Sequence, residues 1–213
     1  NHADITYPAK YGHRDYRGGG RSSARETVMR VASGAIAKKF LNLNGIHTEG
    51  YVSQIGTIKA EKIDLGNAKT NKYFFADESK LADLDSMFAD LIAEGNSVGA
   101  KLGVRVSNCP VGLGQPVFDK LDAELAKAIM SINAVKSVTI GNVEKILELR
   151  GSEVRDEITQ DGFKSNNAGG ILGGISNGDL IELDFIIKPT SSIKSKGNTI
   201  NANGEEVEVE VTG

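Results

Sequence analysis

The chain has 213 residues, 39% hydrophobic and 25% charged, with a formal net charge of -3. That describes a soluble globular protein of one large domain or two small ones with a substantial core. It excludes a general attraction to nucleic acid or to anionic membrane, and no apolar run or signal pattern points to a membrane span or a secretory leader. A single Cys and three scattered His exclude an internal disulfide and argue against structural zinc, so no metal is expected. The lone Cys109 suits a reducing cytoplasm.

Residues 1–20 read as loop, punctuated by Pro8 and Gly12. Next comes Arg17-Gly-Gly-Gly-Arg-Ser-Ser-Ala-Arg-Glu-Thr27, and residues 14–30 hold five arginines against two acids. Ser23 and Glu26 have capping-box spacing, which places this string at the mouth of a helix. Unpaired N–H groups and the peptide dipoles make such an end attractive to anions. Arg21 and Arg25 there oppose the dipole and repel one another by roughly 0.2–0.5 kcal/mol if stacked four apart, penalties that a bound dianion reverses. The alternative is a tight glycine turn whose arginines are neutralised by Asp15 and Glu26. No Walker or dinucleotide motif is present.

Val28, Val31, Ala32, Ala35, Ile36 and Phe40 recur at helical spacing and predict a helix over 27–41. A strand follows at 50–59, and Leu84, Met87, Phe88, Leu91 and Ile92 mark a helix over 81–94 that stops at Gly95. Leu102, Val104 and Val106 alternate as a strand over 100–106. Pro116 suits the entry to a helix over about 117–132 that stacks Leu121, Leu125, Ala128 and Ile129. Strands are predicted at 136–140, at 181–187 with Pro189 ending the run, and at 205–211. The order is mixed α+β without regular βαβ spacing. Helix-then-strand units at 23–59 and 117–140 hint at internal duplication within a single domain, 1–213.

Three further loops carry candidate chemistry. Glycine numbers 25 where about 7% is usual, and much of the excess falls at 18–20 and in the 169–178 stretch of Ser165-Asn-Asn-Ala-Gly-Gly-Ile-Leu-Gly-Gly-Ile-Ser-Asn-Gly178. Its two Gly-Gly pairs either admit a flat ligand close to the backbone or make a glycine hairpin, and both readings stay open. Lys188-Pro-Thr-Ser-Ser192 offers an ammonium and three hydroxyls at a strand end, where charged donors to phosphate contribute roughly 1.5–3 kcal/mol per bond. An ordinary polar loop is the alternative. In Ser131-Ile-Asn-Ala-Val-Lys136, Asn133 fits a helix C-terminal turn. His47 is expected in an exposed turn, and His13 has no assignable role. His2 precedes Asp4, a carboxylate that within hydrogen-bond reach favours the acid form of the imidazole.

Taken together, RGGGRSSARET, SINAVK, NNAGGILGGISNG and KPTSSI closely resemble the chorismate synthase family, nearly end to end. Gly112–Asp119 and Arg155–Thr159 are also similar to that family. The resemblance implies a β-α-β sandwich, helices lying between antiparallel sheets, in a homotetramer. It implies conversion of 5-enolpyruvylshikimate 3-phosphate to chorismate and phosphate, a redox-neutral elimination that requires reduced FMN. The family's FMN contacts fall on Arg21, Ser22, Ser23, Asn133, Ala134, Gly173, Lys188, Pro189, Thr190, Ser191 and Ser192. Ser23 and Arg25 are the implied substrate contacts. His2 matches the histidine of the family's H-A-D segment, proposed there as the acid that assists the departing phosphate.

The chain departs from the family in lacking the G-E-S-H-G segment with a second histidine, upstream arginines, and the R-H-D-P-C segment. It begins without Met at Asn1 and stops at Gly213. The expectation is a core fragment of a longer protein with little or no activity of its own. An FMN-dependent oxidoreductase, which would show net redox turnover, and a non-catalytic phosphate- or flavin-binding module are the rival readings.

Overall fold

A computed structural model describes residues 5–15, 17–201 and 203–210. Helix α1 (Thr6–Tyr11) precedes two 3-10 turns, Gly20–Ser22 and Ala24–Glu26, and then α2 (Thr27–Leu43). There follow β1 (His47–Ile55), β2 (Ile58–Lys59), α3 (Leu65–Thr70), α4 (Leu81–Glu94), β3 (Ala100–Ser107), α5 (Leu121–Met130) and β4 (Val135–Ile140). Short helices α6 (Val143–Ile146) and α7 (Gly151–Val154) lead to the hairpin β5 (Ile158–Thr159) with β6 (Gly162–Phe163). A second hairpin pairs β7 (Ile171–Leu172) with β8 (Ile175–Ser176). Strand β9 (Ile181–Ile187) precedes a third hairpin, β10 (Gly197–Ile200) with β11 (Glu206–Val209).

The frame is a five-stranded sheet ordered β2-β1-β3-β9-β4 with every pairing antiparallel. Strict alternation sets its two faces. Leu102, Val104 and Val106 stand beside Phe185, Leu183 and Ile181, while Lys101 and Arg105 stand beside Ile186 and Glu182 on the opposite face. There Lys101 pairs with Asp184 at 3.1 Å and Arg105 with Glu182 at 2.8 Å. Helix α5 lays Leu125 and Ile129 over Val135, Leu183 and Phe185. Helix α4 packs Leu84 and Met87 against Ile55 and Phe75. Leu84 and Phe75 are fully buried, and each such side chain contributes about 1.5–3 kcal/mol relative to exposure.

The mixed α+β class is as expected, with helices packed on an antiparallel sheet. The 81–94 helix has the predicted bounds, and Gly95, in the left-handed region at φ 62, ends it. Three readings differ. The stretch read as loop over 1–20 contains helix α1, which ends at Gly12 in the left-handed region at φ 72. The predicted strand at 50–59 turns at residues 56–57 into the β1–β2 hairpin, where Gly56 takes φ 55. The predicted helix from 117 begins only at Leu121, because Gln115 and Asp119 exchange backbone hydrogen bonds at 2.7 and 3.0 Å and close a turn there. Helix α2 forms as predicted and runs two residues longer. Val28, Val31, Ile36 and Phe40 on it are exposed, and none of its residues is buried. No helix among the described residues is long and apolar enough to cross a membrane.

The buried carboxylate of Asp77 ties the 60–80 segment together. It accepts from the backbone N–H of Glu61 and Ser79 and from the Ser79 hydroxyl at 2.7–3.1 Å. The Ser79 hydroxyl first, and then the Glu61 amide, hold its pKa down to about 2. A carboxyl depressed in the folded state stabilises the fold above its unfolded pKa, and that contribution is lost as pH falls through the folded value. Asp77→Ala is expected to lower the melting temperature by about 5 °C at pH 7. The gap from wild type should shrink between about pH 4 and pH 2. Equal melting temperatures at pH 7 in a circular-dichroism melt would refute the role.

Candidate functional site

The Gly-rich string does not continue α2 backwards as one helix. Ser23 is extended, at φ -72 and ψ 138, and separates the two 3-10 turns. Its hydroxyl accepts from Arg25 N, but the reciprocal half of a capping box is missing because the Glu26 carboxylate pairs with Arg21 at 2.8 Å. Arg21 and Arg25 are therefore not stacked on one helical turn. The break at Ser23 sends them to different clefts.

Arg21 borders a cleft of about 380 Å³ shared with Glu26, Met29, Arg30, Ser131 and Asn133. Three contacts close it. The Asn133 amide donates to Ser22 O at 3.2 Å, and Arg30 donates to the hydroxyl and carbonyl of Ser131 at 3.0 and 2.8 Å. Ala134, not Asn133, takes the left-handed conformation after α5, at φ 67. The side chain expected to cap the helix instead bridges to the Gly-rich loop. The Ala134 carbonyl accepts from Lys188 N at 2.9 Å, so the 131–136 loop contacts both the Gly-rich loop and the end of β9.

Beyond β9, Lys188 donates to Ser191 Oγ at 2.9 Å. Thr190 O accepts from the Ser97 hydroxyl at 2.7 Å, which pins this loop to the segment after α4. Lys188 is half-buried, and Pro189, Thr190, Ser191 and Ser192 are exposed. Arg21, Ser22, Ser23, Asn133, Ala134 and Lys188–Ser192 thus lie on three loops linked by hydrogen bonds, although they are up to 171 positions apart.

Gly173 stands apart. It turns the β7–β8 hairpin, whose Gly174 carbonyl accepts from Leu121 N at the start of α5. Asn133 follows the other end of that ten-residue helix, about 15 Å away along its axis. Locally the glycine run is a hairpin. Asp156, in the 155–159 segment, fastens the chain leading to it by accepting from Ser165 Oγ and from the N–H groups of Asn167 and Ala168 at 2.6–2.9 Å. Partial burial of Asp156 opposes ionisation, but these donors outweigh it and lower the carboxyl pKa.

Arg25 borders a second cleft, also about 380 Å³, with Tyr7, His13, Arg14, Asp15, Arg17 and Gly18–Gly20. Asp15 is engaged by Arg17 through two side-chain bonds of 2.8–2.9 Å, which hold its pKa below the usual carboxylate range. His2 lies outside the described residues. His47 is exposed as expected but opens β1, its ring 3.1 Å from Asn42 Oδ1. Arg30 and Ser131 carry direct contacts of the first cleft that sequence reasoning left without roles. The run of five arginines was the available signal, since Arg30 lies one helical turn into α2.

These clefts and loops define an α+β protein with cationic, hydroxyl-rich recesses suited to phosphorylated ligands. All 213 residues match the family model described as chorismate synthase. A solved crystal structure of a chorismate synthase aligns with a TM-score of 0.81 at 33% identity, covering 89% of this chain and 63% of that one. The chain belongs to the chorismate synthase family. It spans about 63% of the length of that solved relative.

Proposed function

We propose that this chain contributes the flavin- and substrate-binding core for elimination of phosphate from 5-enolpyruvylshikimate 3-phosphate, giving chorismate. Support comes from family membership together with one observation: the Asn133 bridge to Ser22 and the Lys188 bond to Ala134 bring three distant loops into a single donor cluster. The Arg21 guanidinium, the Lys188 ammonium and the hydroxyls of Ser22, Ser23, Thr190, Ser191 and Ser192 fit the phosphate of FMN in donor chemistry.

In this reading Arg21, Ser22 and Ser23, Asn133 and Ala134, and Lys188, Pro189, Thr190, Ser191 and Ser192 would hold FMN. Gly173 belongs to the flavin site only if the ligand reaches past α5. Ser23 and Arg25 hold the substrate, and His2 donates a proton as the phosphate leaves. Reduced FMN, when bound, supplies electron density that is returned, so the overall reaction is redox-neutral. The chain's own groups orient the two anions and offset charge that develops on the leaving oxygen. We further propose a homotetramer acting in the cytoplasm.

Anaerobic titration of the chain with reduced FMN is expected to show saturable binding that leaves the flavin's redox state unchanged. No binding at millimolar flavin would sink the proposal. Net flavin oxidation coupled to substrate would favour an oxidoreductase instead. Phosphate release by these 213 residues is expected to be weak, and near-normal turnover would reverse that expectation.

A further inference from the structure

We infer that His13 is a substrate-orienting residue, forming with Arg25 and Arg14 an anion site on the flank of the Gly-rich loop away from Arg21. The inference rests on the functional reading above and divides its two ligands by geometry. The extended Ser23 splits the loop into two 3-10 turns, and the two arginines part company there. Arg21 joins Arg30, Ser131 and Asn133, whereas Arg25 joins His13, Arg14 and Gly18–Gly20. The described residues that line the two clefts do not overlap. Two phosphorylated ligands bound together repel, so separate recesses on either side of one backbone suit them better than one shared recess.

The second cleft has the chemistry for an anion. Among the described residues its basic side chains are His13, Arg14, Arg17 and Arg25, and its acid is Asp15. Asp15 is occupied by Arg17 in a two-pronged pair with an added backbone bond, so this acid is already compensated. The Arg25 guanidinium reaches back over the glycines, where a Cβ placed on Gly18 would lie 3.7 Å from Nη2. The imidazole of His13 borders the same recess and can offer a ring N–H donor to it. A substrate carrying both a phosphate and carboxylates can engage Arg25 with one group and His13 with another, which orients the ring between them. Sequence reasoning gave His13 no role because nothing in the order of residues shows that it shares a recess with Arg25.

The test is calorimetric titration of the 213-residue chain with 5-enolpyruvylshikimate 3-phosphate at saturating FMN, and separately with FMN alone. His13→Ala is expected to weaken substrate binding about tenfold and Arg25→Ala by more, each with FMN affinity within twofold of wild type. Arg30→Ala should do the reverse, weakening FMN and sparing substrate. His13→Gln, which keeps a donor, should recover part of the loss, whereas a merely structural His13 would not respond to the donor. All of these side chains are exposed, so each variant should fold, which circular dichroism checks. FMN binding with substrate affinity unchanged in His13→Ala overturns the inference, as does an equal loss for both ligands. Failure of the wild-type chain to bind FMN overturns the functional reading itself.

Discussion

Gly141→Ala is expected to destabilise the protein by about 4 kcal/mol, lowering its melting temperature by roughly 10 °C. Gly141 ends β4 at φ 73, where an L side chain is strained. The space is also taken. A Cβ there would lie 2.2 Å from the Asn167 carbonyl oxygen, 2.8 Å from the Ala168 carbonyl carbon and 2.9 Å from Gly169 N. These are backbone atoms, so no rotamer change can relieve the contact. They are fixed in turn, because Asn142 N donates to Asn167 O at 2.9 Å and the Asp156 carboxylate accepts from Asn167 and Ala168. Displacing them separates the chain leading to β7 from the end of the sheet. Gly12→Ala is the control, since Gly12 takes φ 72 but has nothing within 4 Å of its added Cβ. It should lose only the strain, about 1 kcal/mol and 2–4 °C. Equal melting temperatures for the two variants would show that the packing argument is wrong.

The second large effect is on binding. Arg21→Ala should weaken FMN by about 10- to 100-fold, the equivalent of one charge-assisted bond of roughly 1.5–3 kcal/mol. The same change should leave the melting temperature within about 1 °C. Among the described residues the Arg21 side chain pairs with Glu26, in an exposed ion pair, and such pairs contribute about 0–1 kcal/mol. A purely structural arginine would lose stability and not affinity, and one that organised the loop would lose both. Loss of affinity at constant stability identifies a ligand contact. Flavin-fluorescence titration beside a thermal melt reads both quantities. Unchanged FMN affinity would remove Arg21 from the proposed site.

Much of the fold was legible because periodicity is local. The Leu84–Met87–Phe88 stripe and the alternation over 100–106 and 181–187 report directly which face meets the core. The late start of α5 was not legible. Pro116 is a good helix opener by itself, and the turn that displaces the helix depends on a pairing between Gln115 and Asp119. The capping-box spacing of Ser23 and Glu26 failed for a related reason: Glu26 had a cationic competitor in Arg21, and the ion pair took it. At the site, the four motifs were visible as strings, but spacing alone offered Asn133 only as a turn residue, and its place among the FMN contacts came from the resemblance. Its amide finds Ser22 across 111 positions of chain, a contact that no local spacing encodes.

The sequence alone determined the family, the helices and strands with strong periodicity, and the concentration of cations and hydroxyls that makes phosphate the natural ligand. Those properties reside in residue type and near-neighbour order. Only the tertiary structure decided how the Gly-rich loop is divided. Whether two arginines four positions apart share one anion or serve two depends on the backbone angles of the residue between them. The extended Ser23 sends Arg21 toward Asn133 and Arg25 toward His13. Likewise, the separation of Gly173 from the other flavin candidates follows from where α5 lies, because the sheet brings both ends of that helix together with loops remote in sequence.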